Sequence, residues 1–143
     1  MVGELDNKTY SGPVSAKTGK HTFYVGLQKV SGDTSWMRVN GTSGSTLANF
    51  NFNSSYDNAG ERSWQVRHDY NFAGVGIIGL VMMNRYTSGS NVHTGSMTKG
   101  KEWGRETELA YVIQSGVLKN LNVRGRNSSV SVRLSTCDSR TLL

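Results

Sequence analysis

Cysteine is almost missing: Cys137 is the only one in 143 residues, so neither a disulfide framework nor a thiolate metal centre can be built. Histidine is nearly as sparse. His21, His68 and His93 stand in separate segments, without metal-ligand spacing and without a nucleophile arranged for general-base chemistry. Long apolar runs are lacking too. The best, Gly74 to Met83 (GVGIIGLVMM), is ten residues, against the about 18 that a membrane-spanning helix requires. Proline occurs once, at Pro13, and the 17 glycines follow no three-residue repeat, which excludes collagen. The opening MVGELDNKTY shows no charged segment followed by an apolar one, so an exported protein is expected to start upstream of this sequence. Acid is short: 10 Asp+Glu face 16 Lys+Arg, giving a net charge of +6. With 36% hydrophobic residues, and Ser, Thr, Asn and Gly filling the remainder, any strands bury one face only.

What is present is alternation. Trp64, Val66, His68, Tyr70 and Phe72 fall on one face of an extended segment, and Gln65, Arg67, Asp69 and Asn71 on the other. Leu80, Met82 and Tyr86 share a parity that Asn84 interrupts, opposite Arg85 and Thr87. Thr107, Leu109, Tyr111 and Ile113 oppose Glu106, Glu108, Ala110, Val112 and Gln114, and Phe23, Val25 and Leu27 alternate with Tyr24, Gly26 and Gln28. Short turns at 17–20, 74–79 and 116–120 join these strands into three hairpins. Between the hairpins, Asp33 to Glu61 and Asn91 to Gly104 read as long polar loops rich in Gly, Ser and Asn.

Two architectures share that pattern. Strands of about 9–11 residues, short turns on one side and long loops on the other suit a transmembrane β-barrel, with aromatics near strand ends as interfacial girdles. A soluble β-sandwich, serving as a binding or adhesin-like domain with recognition on its loops, uses the same period of two. Residue pattern alone leaves both open. A nucleic-acid reading fits poorly, because the basic residues alternate along strands and do not cluster with aromatics on one platform.

The run from Lys99 to Asn127, KGKEWGRETELAYVIQSGVLKNLNVRGRN, resembles the C-terminal part of the OprD-type outer-membrane porins. Its most specific parts are Gly100-Lys101-Glu102-Trp103, the strand Glu108 to Gly116, and the Arg-x-Arg-Asn run ending at Asn127. Lys8 to Gly32 and Asn84 to Val92 are similar to the same family. The resemblance implies an all-β, antiparallel transmembrane barrel segment of about six strands. Taken alone it would be an open curved sheet. Residues 1–127 would form the C-terminal portion of the barrel and residues 128–143 a divergent tail, truncated or frame-shifted. It also implies the bacterial outer membrane as location and outer-membrane lipid as surroundings. The activity would be passive, substrate-selective diffusion of small anionic or zwitterionic solutes, amino acids or aromatic acids among them. No enzyme activity, cofactor, metal or nucleic-acid partner follows from it, and a homo-oligomer of the full-length porin is compatible with it. Three departures stand out: Gly125 sits between the paired arginines where the family carries a bulky aromatic, Pro13 occupies a strand position, and Ser128 to Leu143 replaces the family's aromatic-ended last strand.

In such a porin Arg124 and Arg126 match the family's Arg-x-Arg pair and would join a basic ladder along the lumen. Arg67 and Arg85 lie on the polar parity of their own strands and are candidates for the same wall. A row of guanidiniums offers bidentate capture of a carboxylate and rapid release. Glu106 and Glu108 share a face and would counterbalance those arginines; elsewhere such a pair is a solvated rim.

Overall fold

The computed structural model describes residues 7–32, 49, 56, 58–94 and 97–133. Six strands, β1 (Asn7–Thr18), β2 (His21–Gly32), β3 (Arg62–Asn71), β4 (Leu80–Thr94), β5 (Met97–Val112) and β6 (Asn122–Arg133), lie in one sheet in chain order. Every neighbouring pair is antiparallel. The expected all-β, three-hairpin architecture is therefore present, with β1 and β6 as open edges.

The turns follow local chemistry. Gly19, at φ 57°, takes the left-handed conformation between β1 and β2. Past β3, the Asn71 side chain accepts the Ala73 N–H at 2.9 Å, starting a single 3₁₀ turn (Phe72–Val75) that Gly76 ends at φ 95°. The first two turns are laced together: Lys20 Nζ donates to the Gly74 carbonyl at 2.7 Å, and the Asn71 N–H donates to the Lys20 carbonyl at 3.0 Å. At the third, the Asn120 N–H reaches the Ile113 carbonyl at 2.9 Å.

One expectation fails. The segment Asn91 to Gly104, read as a long loop, is strand over most of its length: β4 runs to Thr94 and β5 begins at Met97. The register slips between Ser90 and Val92 and again before Thr94, with Asn91 at φ 64°. The sequence there shows no apolar period of two, but a ladder needs only paired backbone groups and a bulge to absorb the slip. Most of the other long connection, 33–61, lies outside the described residues. Its Asn49, Tyr56 and Glu61 are described, and all are buried against one face of the sheet.

The two faces are inverted relative to a soluble sheet. The loop-covered face buries Gln28, Ser63, Gln65, Thr87, Glu102 and Glu106, whereas the only buried hydrophobic residues among those described are Val30, Tyr56 and Met83. The opposite face leaves Val25, Leu27, Trp64, Val66, Tyr86, Trp103, Leu109 and Tyr111 exposed. A sandwich would cover that apolar face with a second sheet. Among the described residues all strands belong to one sheet. Apolar outside and polar inside is the arrangement of a barrel wall in lipid.

Candidate functional site

Cross-strand register decides which polar side chains meet on the covered face. Tyr24, Arg67, Arg85, Glu106 and Ser128 are direct partners in one row across β2 to β6. One row nearer the turns come Thr22, Asp69, Met83, Glu108 and Arg126, and beyond it Ala110 faces Arg124. All six sequence-picked residues thus share this face, and the four arginines step across two row intervals of about 7 Å each.

Each arginine is held by a carboxylate. Arg67 makes a bidentate pair with Asp69, Nε to Oδ1 at 2.7 Å and Nη2 to Oδ2 at 2.6 Å, and its guanidinium lies 4.9 Å from the Tyr24 ring centre. Such a planar fork on a carboxylate is well directed. Arg85 Nη1 stands 3.3 Å from Glu106 Oε2, and the Glu106 side chain is fully buried. Across the last hairpin, Arg126 Nε donates to Glu108 Oε2 at 2.5 Å while Arg124 Nη1 lies 3.8 Å from Glu108 Oε1. Ser128 Oγ adds a 3.4 Å contact to Glu106 Oε1.

Exposure separates the four. Arg85 keeps only 12% of its side chain accessible, whereas Arg124 and Arg126 keep 50% and 47%. The inner pair is a structural clamp. The outer pair shares one carboxylate and stands half-exposed. Asp69 is not among the sequence candidates, although it stands two residues from Arg67 on the same parity, and that shared parity is the signal for it.

A second cluster closes the loop end of this face, and nothing in the sequence marks it. Gln28 Nε2 donates to the Tyr56 carbonyl at 2.7 Å, and its Oε1 accepts from the Asn49 N–H at 3.2 Å. Asn49 Nδ2 reaches Ser63 Oγ at 2.8 Å. Glu61 extends the β2 pairing, its carbonyl accepting the Val30 N–H at 2.8 Å, and its Oε2 receives Asn58 N and Nδ2 at 3.0 and 2.9 Å. Burial, with Glu102 nearby as the second cause, pushes the Glu61 carboxyl up to about 8. Gly89 makes room for this cluster, since a Cβ there would fall 2.1 Å from Glu61 Oε1.

Among the described residues no group of three or more His, Cys, Asp or Glu could hold a metal ion. Known proteins resemble the whole arrangement. A family model described as "outer membrane porin, OprD family" matches residues 1–141. The porin-like protein GalP of Pseudomonas putida is 63% identical over 128 residues, 90% of this chain and 30% of that protein. The crystal structure of a BenF-like porin from Pseudomonas fluorescens Pf-5 superposes with a TM-score of 0.89 at 64% identity, over 94% of this chain and 34% of that one. Pseudomonas aeruginosa OccK2 (OpdF), solved in complex with glucuronate, gives 0.88 at 57% identity, over 94% and 37%. The chain spans about a third of the length of these proteins. By sequence and by fold, it belongs to the OprD family of outer membrane porins.

Proposed function

We propose that this chain is the C-terminal third of a passive diffusion channel for small carboxylate-bearing solutes, and that its arginine face lines the lumen. One observation carries the reading: Arg124 and Arg126 stand half-exposed on the polar face and share the single carboxylate of Glu108. A solute carboxylate can take over their N–H groups and then lose them again to Glu108, so capture is specific and release fast. Arg67 and Arg85, clamped by Asp69 and Glu106, continue the positive wall toward the loop end. The glucuronate complex of OccK2 supports a carboxylate as the solute class. On this reading residues 1–127 are barrel wall, β6 carries that wall on to Arg133, and what diverges in 128–143 is the sequence. Six strands leave two unpaired edges, which the hydrocarbon layer does not tolerate, so conduction requires further strands.

The test uses a completed barrel, in which this chain replaces the matching segment of the Pseudomonas putida relative. In planar bilayers it is expected to conduct and to be blocked transiently by glucuronate. Arg124→Gln with Arg126→Gln shortens those blocks. Equal block times in both barrels overturn the assignment, and stable channels from the 143-residue chain alone would show that it closes by oligomerising.

A further inference from the structure

The open face is charged in one sense only. Throughout the regular pairing of the six strands, the acids Asp69, Glu102, Glu106 and Glu108 point to the covered face, and none points to the open one. Cations do. At the loop end, Lys29 pairs directly with Arg62, Arg62 with Ser90, Ser90 with Lys101, and Lys101 with Arg133. All four basic residues are exposed, and none makes an ion pair among the described residues.

This row costs stability by itself, because like charges directly opposite across strands repel. It also has a fixed place. The next row toward the turns holds Leu27, Trp64, Ser88 and Trp103, and the Tyr86 ring lies 5.5 Å from Trp64 and 6.3 Å from Trp103. The cations therefore sit one row above an aromatic girdle. Ten residues of a strand tilted about 40° rise about 26 Å, so the band spanned by β3, from Arg62 to Asn71, matches the apolar thickness of a barrel wall. Two hollows open along the same row, of about 720 Å³ bordered by Tyr10, Leu27, Lys29, Arg62 and Trp64 and about 350 Å³ bordered by Arg62, Ser90 and Lys101.

We propose that Lys29, Arg62, Lys101 and Arg133 bind the phosphate groups of an anionic lipid headgroup in the leaflet at the loop end, its acyl chains lying against Leu27, Trp64 and Trp103. A phosphate neutralises the facing cations, takes bidentate hydrogen bonds from the arginines and places its tails on the apolar surface beneath. The assignment rests on the membrane-wall reading of this face. It differs from the lumenal site in ligand, face and residues.

The experiment titrates the completed barrel, in dodecyl maltoside, with diphosphorylated lipid A, with dephosphorylated lipid A and with inorganic phosphate, reading bound lipid by native mass spectrometry. Folding is checked first by gel mobility and conductance, so a failed membrane-wall reading shows itself before any lipid is added. The expected result is retention of diphosphorylated lipid A that weakens with salt. Arg62→Gln with Lys101→Gln is expected to weaken it roughly twenty-five-fold, about fivefold per cation near an anionic headgroup. Arg62→Lys with Lys101→Arg keeps it within about threefold, since the charge remains. Retention of both lipids alike, an unchanged affinity in the glutamine variant, or saturation by inorganic phosphate without lipid retention would each overturn the proposal.

Discussion

Arg126 Nε and Glu108 Oε2 meet at 2.5 Å across the final hairpin, directly opposed in the β5–β6 register. The same carboxylate reaches Arg124 at 3.8 Å through its other oxygen. One acid thus sets how strongly two half-exposed guanidiniums present themselves to the space in front of them.

Replacing Glu108 with Gln is expected to raise anion selectivity in the completed barrel. With the competing charge gone, block times for glucuronate are expected to lengthen roughly two- to fivefold, the worth of a partly exposed pair. Reversal potentials in a salt gradient check the sign: they move toward the chloride potential.

Arg85→Ala is expected to destabilise far more than Arg124→Ala. It removes the guanidinium 3.3 Å from a fully buried carboxylate, and breaking such a pair costs about 3–5 kcal/mol. Arg85→Met combined with Glu106→Leu recovers most of the loss, because no charge is then left buried. Urea unfolding of the completed barrel in detergent distinguishes the two.

Gly89→Ala is expected to loosen the loop-end cluster while leaving the sheet paired. The added methyl would meet Glu61 Oε1 at 2.1 Å and Tyr56 Cδ1 at 2.9 Å, and both residues are fully enclosed. Overpacking of this kind costs about 1–3 kcal/mol. Faster protease cleavage between residues 33 and 61, with unchanged strand content by circular dichroism, is the signature.

The same cluster makes stability depend on pH. Glu61 holds its proton up to about 8 in the folded chain, against 4.5 unfolded, so between those values the folded state binds more protons. Stability is fully present below the unfolded value and falls as pH rises toward 8, with a slope of at most about 1.4 kcal/mol per pH unit. Glu61→Gln is expected to flatten that slope and to be the more stable form at alkaline pH. Unfolding midpoints measured from about pH 3.5 to 9, each limit about one unit outside the window, test it.

Much of this architecture was legible in the chain. Period-two alternation fixes which side chains share a face, so the sequence alone puts Arg67 with Asp69 and Glu106 with Glu108. Gly19 and Gly76 mark turns because the left-handed backbone there suits glycine. The strand extension through Asn91–Thr94 is illegible for the converse reason: a ladder of paired backbone groups without apolar alternation leaves no trace in the sequence.

Register was the larger gap. Parity places Arg62 and Lys101 on the open face, but only the pairing of four strands puts Lys29, Arg62, Lys101 and Arg133 in one line. Likewise, sequence placed Glu61 at the end of a loop, and only the fold buries it behind Gly89. The chain by itself determined the strands, their hairpins and the make-up of each face, because those are local and repeat every two residues. Tertiary structure decided which carboxylate holds which arginine and which face is covered. Apart from Arg67 with Asp69, two residues along one strand, those depend on contacts between residues far apart in the chain, and no period in the sequence encodes them.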